Sequence, residues 1–181
     1  MTVSAHDAAA EIRRRLGRDV GVVKLHKLLY YAQGWSLAWV GEPLFEEKIH
    51  AWANGPVVAE LWADETHDRP HPSERPLSGR QIAILDYVIL EYGHYTGKAL
   101  IRQTHLEDPW RDVSEDDDDA IADIGRSPEI GLEALSRWFT NHDDHQAHLA
   151  EVERLRAKST DPFGPLEETP EFAAAIRRAV G

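Results

Sequence analysis

The sequence predicts a mainly α-helical, compact multi-helix domain with a small extended element near residues 43–56. Three observations favour this fold class. Most segments begin with a serine or threonine that can cap a helix and continue with apolar residues at helical spacing. Residues 43–58 lack that spacing and contain turn residues instead. Apolar residues make up 42% of the 181 residues and charged residues 29%, which is typical of a folded domain.

Two helices are predicted in the first 41 residues. The first begins at the cap residue Ser4 and stops at Gly17. The second covers about residues 22–40, stops at Gly41 and carries a stripe expected to be buried. The stripe consists of Leu25, Leu28, Leu29, Ala32, Ser36 and Trp39.

An extended element and a loop follow. Pro56, after Asn54 and Gly55 in a turn, is expected to open a short helix that runs through Trp62. Residues 64–77 are polar and proline-rich, so they predict a loop.

Four further helix starts are predicted, at Ser78, Thr96, Ser114 and Ser127-Pro128. The corresponding ends are expected at Tyr92-Gly93, near Glu107, at Gly125 and after Phe139. Two more helices are predicted over residues 142–158 and 169–180, where apolar residues are sparser. We therefore divide the chain into a helical domain, residues 1–140, and a helical C-terminal extension, residues 141–181.

Charge is strongly negative and unevenly distributed. The net charge is −12, and residues 107–123 carry nine acidic groups against Arg111 alone. Within that stretch, Glu115 to Asp119 form one continuous run, and we call its four aspartates the acidic run: Asp116, Asp117, Asp118 and Asp119. Such a surface repels phosphate backbones, which argues against general nucleic-acid binding. It fits a protein partner with a basic surface, although carboxylates also suit the first turn of a helix.

Several classes of function lack support in the sequence. The chain has no cysteine, which excludes disulfides and thiolate chemistry and fits a reducing cytoplasm. No apolar stretch approaches the roughly 20 residues that span a bilayer. No GxSxG, HExxH or dinucleotide-binding motif occurs, and residues 93–99 lack the spacing of a phosphate-binding loop. We therefore expect no enzyme activity, no cofactor and no membrane insertion.

Two alternatives remain open but are less favoured. His142, His145 and His148 lie at three-residue steps, so a pair of them could bind a metal on one helix face. Residues 96–105 could be the reading helix of a helix-turn-helix, with Lys98 and Arg102 facing DNA. Two cations are few for that role, and two packed helices joined by a short turn explain the pattern better.

Three blocks of sequence, taken together, resemble a known family. Residues 24–35 read KLHKLLYYAQGW; residues 41–45 read GEPLF, followed by NGPVV at 54–58; residues 104–110 read THLEDPW. Their order and spacing resemble the Panacea domain of SocA-like antitoxins and related phage-associated proteins, over about residues 10–140. His26 departs from this pattern, since glutamine is more usual there.

The resemblance implies a mostly helical domain that binds and neutralises a cognate toxin encoded beside it. It also implies an alternative, a proteolytic adaptor that delivers the bound toxin to a cytoplasmic protease. No catalytic residues come with the family. For contact with the partner, the candidates from the residues themselves are the aromatic and acidic side chains Tyr31, Trp35, Trp52, Asp116, Asp117, Asp118 and Asp119.

The remaining motif residues are expected to be structural. Gly55 is expected to adopt a backbone conformation that a side chain would disfavour. Pro109 is expected to end a helix, with Trp110 folding back as an apolar plug and His105 bonding a backbone carbonyl. The full structural set is Lys24, Leu28, Tyr30, Gly55, Pro56, Thr104, His105, Pro109 and Trp110.

Overall fold

A computed structural model describes residues 2–17, 20–69, 76–115 and 127–142. Over these residues the fold is mainly α-helical with one small antiparallel sheet, which confirms the predicted fold class. The elements are α1 (Ala5–Leu16), α2 (Val22–Val40), β1 (Ile49–Trp52), β2 (Gly55–Val58), α3 (Ala59–Thr66), α4 (Gly79–Tyr92), α5 (Gly97–Thr104), α6 (Asp108–Glu115) and α7 (Leu132–Asn141).

Helix α2 is the centre of the fold. Every residue from Leu25 to Leu37 is buried, because α1, α4, α5, α7 and β2 all pack against this helix. Five residues of the predicted stripe are buried as expected, and Trp39 is half-buried; the five are Leu25, Leu28, Leu29, Ala32 and Ser36. The burial extends around the whole helix, however, and therefore includes polar side chains that need partners inside the protein.

The predicted helix ends are formed by local caps. Ser4 Oγ accepts a hydrogen bond from Asp7 N at 3.0 Å, and Thr96 Oγ1 accepts one from Ala99 N at 3.2 Å. Ser78 and Gln81 form a reciprocal capping box. Gly41 ends α2 in the left-handed conformation, with φ +72°, and donates its N–H to Leu37 O.

The extended element is a hairpin with a third segment along its edge. Strand β1 pairs with β2 so that Ala51 lies opposite Pro56. On its other edge, β1 bonds to the segment before α7: Ala51 N donates to Pro128 O at 2.9 Å, and Ile130 N donates to Ile49 O at 2.8 Å. Residues 127–130 are thus extended, and α7 begins at Leu132 rather than at Ser127-Pro128 as expected.

The prediction that Pro56 opens a helix is wrong. Pro56 lies in β2, and α3 begins three residues later at Ala59 and extends to Thr66. Since Ala51 directs its N–H away from β2, its opposite residue Pro56 occupies a position where the strand pair needs no N–H donor. A proline fits a strand at such a position.

Two predictions around the third block are also wrong. Helix α5 ends at Thr104, and Pro109 lies in the first turn of α6, so it helps to begin a helix instead of ending one. Ser114 lies inside α6, where its Oγ donates to Arg111 O at 2.9 Å, and not at the predicted cap position before a helix. The rest of the helix predicted to end at Gly125 lies outside the described residues. The helices predicted over 142–158 and 169–180 lie outside the described residues, apart from His142.

Candidate functional site

The family-like blocks meet in the interior at two polar clusters. We call the first the Lys27 cluster; it consists of Lys27, Gly55, Pro56, Thr104 and His105. We call the second the Glu107 cluster; it consists of Glu107, Tyr30 and Tyr31. Both join the buried helix α2 to the chain around the end of α5, and the first also reaches β2.

In the Lys27 cluster, a lysine side chain crosses beneath the hairpin. Lys27 is 1% exposed, and its Nζ donates to Pro56 O at 2.9 Å. Gly55 makes room for it: a Cβ at Gly55 would lie 2.7 Å from Lys27 Cε and 2.8 Å from Thr104 Oγ1. Gly55 also has φ +88°, in the region that favours glycine. The glycine is therefore required both by its backbone conformation and by the lysine beside it.

Burial sets the protonation of this cluster. Desolvation lowers the pKa of Lys27 from its ordinary 10.5 to about 7. Within the part of the chain that the structure describes, no carboxylate forms an ion pair with Lys27. The neighbouring His26 accepts a hydrogen bond at Nδ1 from Val58 N at 3.3 Å. Desolvation, followed by the charge of Lys27, lowers the pKa of His26 to about 4.

His105 and Trp110 form a stacked pair beside this cluster. Their ring centroids are 3.8 Å apart with planes 10° from parallel. Trp110 Nε1 donates to Trp52 O at 3.1 Å, and Trp52 Nε1 donates to Ser127 Oγ at 2.9 Å. His105 Nε2 is buried and has no hydrogen-bond partner among the described residues, so at this atom the expected bond to a carbonyl does not form. Desolvation and the charge of Lys27 lower the pKa of His105.

In the Glu107 cluster, two tyrosines hold one carboxylate. Tyr30 Oη and Tyr31 Oη each donate to a different oxygen of Glu107, both at 2.8 Å. Desolvation raises the pKa of Glu107 from 4.5 to about 7, although the two hydroxyl bonds oppose that rise. Desolvation and then the charge of Glu107 raise the pKa of both tyrosines, so their hydroxyls stay protonated as donors. The cluster connects α2 to the turn between α5 and α6.

The aromatic residues expected to contact a partner are buried. Tyr31 stacks on Tyr92 at 3.8 Å between ring centroids, and Trp35 Nε1 donates to Tyr92 Oη at 3.2 Å. Phe139 of α7 covers both, with ring centroids 5.0 Å from Trp35 and 6.1 Å from Tyr31. Trp52 is buried as well. Because these side chains have almost no solvent-exposed surface, we do not assign the contact with a protein partner to them.

The other candidates have different outcomes. Lys24 Nζ donates to Gly93 O at 2.5 Å, which ties the start of α2 to the end of α4. Leu28, Pro56, Thr104 and Pro109 are buried in the scaffold. The acidic run Asp116, Asp117, Asp118 and Asp119 lies outside the described residues.

Two further predictions concern metal ions and membranes. Among the described residues, no group of three or more histidine, aspartate or glutamate side chains could hold a metal ion. His145 and His148 of the histidine cluster lie outside those residues. No helix within the described ranges is both long enough and apolar enough to cross a bilayer.

Sequence reasoning did not predict the burial of Lys27 and Glu107, the groups after which the two clusters are named. The signal for Lys27 was present, because a lysine stands between Leu25 and Leu28 in a helix whose apolar residues continue around the cylinder. The sequence around Glu107 does not indicate burial, because this residue begins the acidic stretch of residues 107–123, which is typical of an exposed surface. Only the positions of Tyr30 and Tyr31 in the fold distinguish it.

Comparison with protein families gives a match, whereas two other comparisons do not. No match to this chain was found among curated proteins or among solved structures. A family described as antitoxin SocA-like, Panacea domain, matches residues 25–111, a narrower range than the expected 10–140. That range contains both polar clusters, whereas α1 and α7 lie outside it. The resemblance inferred from the sequence is thus confirmed over residues 25–111, where the chain is similar to the Panacea domain of SocA-like antitoxins.

Proposed function

We propose that this protein is the antitoxin of a toxin–antitoxin pair and neutralises its cognate toxin by direct protein–protein binding. The family match over residues 25–111 carries this proposal. The burial of both polar clusters supports it, because their ionisable groups hold elements of the scaffold together. The proposed function requires no catalytic residue and no cofactor. We propose the cytoplasm as the site of action, and a chain without cysteine is compatible with that reducing compartment.

The proposed mechanism is steric. The toxin docks on the helical scaffold, and the bound antitoxin covers the toxin's substrate site. The acidic run Asp116, Asp117, Asp118 and Asp119 supplies long-range attraction for a basic toxin surface. Charges of opposite sign on two partners accelerate their encounter more than they strengthen the final complex.

Co-expression tests the proposal. The adjacent open reading frame is expressed from an inducible promoter, with or without this protein, and growth is followed. We expect growth arrest without the protein and rescue with it. A version of the coding sequence with an early stop codon is the matched control, because it keeps the RNA and removes the protein. Failure of the reading frame to arrest growth, or of the intact protein to relieve the arrest, would contradict the proposal.

The adaptor alternative predicts a different molecular outcome in the same cells. Under direct neutralisation, the toxin persists at an unchanged level while growth recovers. Under proteolytic delivery, the toxin disappears, and deleting residues 141–181 restores its level while the complex still forms. Immunoblotting of tagged toxin after translation is stopped separates the two.

A further inference from the structure

An exposed apolar surface lies where α2 begins. Val22 is 49% exposed, Val23 40% and Tyr95 38%, and these are three of the five most exposed large apolar side chains in the described residues. Two observations place these segments side by side. Lys24 Nζ donates to Gly93 O, and Gly97 lies so near α2 that a Cβ built on it would be 3.5 Å from Val23 Cγ1. The start of α2 and the turn before α5 therefore form one surface.

The charges around this surface are positive. Lys98 and Arg102 are both exposed on α5, one helical turn apart. Residues 20–41 and 92–106 contain no aspartate or glutamate, although the chain has 32 acidic residues among 181. In a molecule of net charge −12, this basic and apolar surface is an exception. We call Val22, Val23, Tyr95, Lys98 and Arg102 together the Val22–Arg102 face.

We propose that the Val22–Arg102 face is a docking surface for the protein partner, which meets it with apolar side chains bordered by carboxylates. The inference rests on the proposed function and adds the location and chemistry of the contact. Exposed apolar patches rimmed by polar side chains mark protein interaction sites, and tyrosine and arginine are enriched in such interfaces. A nucleic acid is less suited, since two cations are few and the net charge repels phosphate.

The proposal gives the partner charges of both signs. The partner's carboxylates would face Lys98 and Arg102, whereas the partner's basic surface would face the acidic run at 116–119. The two contacts lie on different segments of the chain and are tested by different substitutions.

The test uses the full chain and the purified product of the adjacent open reading frame. The variants are Val22→Asp and Lys98→Glu, both in the first turn of a helix, where a carboxylate is compatible with the helix dipole. The matched controls are Leu132→Asp, a 45% exposed apolar residue that begins α7, and Arg137→Glu, an exposed cation on α7. We expect each variant on the face to raise the dissociation constant of the complex about tenfold or more. Each control should leave that constant nearly unchanged.

A second measurement avoids substitutions altogether. Hydrogen exchange of the unmodified chain, free and bound, should show slower exchange at residues 22–25 and 95–103 in the complex. If a complex forms but neither the variants nor the exchange pattern implicates this face, the inference is overturned and the proposed function stands. If the same variants abolish binding to a DNA duplex at low salt but not to the protein, the face belongs to nucleic acid and the inference is again overturned. If no complex forms at all, the proposed function fails, and the inference fails with it.

Discussion

At the scale of single residues, the most informative group is the Lys27 ammonium. It is buried, it bonds to Pro56 O, and no carboxylate compensates it within the described ranges. A buried charge without a counter-ion destabilises the folded state. Because burial disfavours the charged form, the pKa of Lys27 is lowered to about 7. Folding stability should therefore depend on pH in a way that identifies this residue.

The sign of the pH dependence follows from proton binding. Between pH 7 and 10.5 the unfolded state keeps a proton on Lys27 that the folded state has lost, so the free energy of unfolding rises with pH in this window. Glu107 acts in the opposite sense at lower pH. Because its pKa is raised from 4.5 to about 7, Glu107 binds more protons in the folded state in this window and lowers stability as the pH rises. His26 has the opposite effect between pH 4 and 6.5, because its pKa is lowered from 6.5 to about 4, so the two contributions offset each other.

The substitution Lys27→Met tests this directly. We expect the variant to lose the rise in the free energy of unfolding between pH 7 and 10.5. Urea denaturation across this pH range measures the free energy of unfolding. The exposed Lys98→Met is the control and should retain the rise. If the free energy of unfolding of Lys27→Met rises with pH as steeply as that of the parent between pH 7 and 10.5, burial does not lower the pKa of Lys27.

Gly55 offers a second test at the residue scale. Gly55→Ala introduces a Cβ at φ +88° that also meets Lys27 and Thr104. The matched control is Gly17→Ala, because Gly17 has φ +92° but nothing within 4 Å of a Cβ. Both variants carry the same kind of backbone strain, and only Gly55→Ala adds the steric conflict. We expect Gly55→Ala to cost about 1–3 kcal/mol more in the free energy of unfolding. Equal losses would show that Lys27 does not lie against Gly55.

At the scale of elements, the contact between α2 and α7 completes the core. Gly34 of α2 leaves a gap that the ring of Phe139 fills, so that a Cβ at Gly34 would overlap the ring. The same ring packs on Tyr30 and Trp35. Helix α7 lies outside the matched family range, yet it covers the aromatic residues of the first family block.

Gly34→Ala is expected to displace α7. The free energy of unfolding should fall by about 1–3 kcal/mol or more, because Phe139 must leave its site and expose aromatic surface. Gly79→Ala is the control, since a Cβ at that helical position meets nothing within 4 Å. Tryptophan fluorescence during chemical denaturation reports the loss. A stability close to that of the parent would contradict the packing of α7 on α2.

What the sequence could predict depends on how local the cause is. The helix limits at Ser4, Gly41, Ser78 and Thr96 follow from capping within one turn, so they were predictable. Pro56 and Pro109 were assigned wrongly because a proline fits both a strand position without a required donor and the first turn of a helix. For Pro56, only the pairing of β1 with β2 decides between a strand and a helix start. The burial of Tyr31 and Trp35 depends on α7, which comes from a distant part of the chain.

At the scale of the whole molecule, charge distribution decides how a partner would approach. The acidic run should accelerate the encounter with a basic toxin surface, and exposed charges are screened beyond about 10 Å at 0.1 M salt. Replacing Asp116, Asp117, Asp118 and Asp119 by asparagine should therefore slow association at low salt more than it speeds dissociation.

Stopped-flow mixing with the product of the adjacent reading frame, at low and high salt, measures both rates. The control removes four exposed carboxylates dispersed over other elements, with Glu46→Gln, Glu60→Gln, Asp68→Asn and Glu133→Gln. It changes the net charge equally but leaves the run intact. Association rates at low salt that match those of the parent would exclude steering by the run, and equal slowing in both variants would assign it to net charge alone.

The central claim is that this protein acts by occupying the surface of another polypeptide. Titration calorimetry of the two purified proteins, with no protease present, tests it most directly. We expect a saturable complex of fixed stoichiometry between this chain and the product of the adjacent reading frame. If both proteins are folded and that product arrests growth, yet no heat of binding and no co-elution are observed, the claim is contradicted.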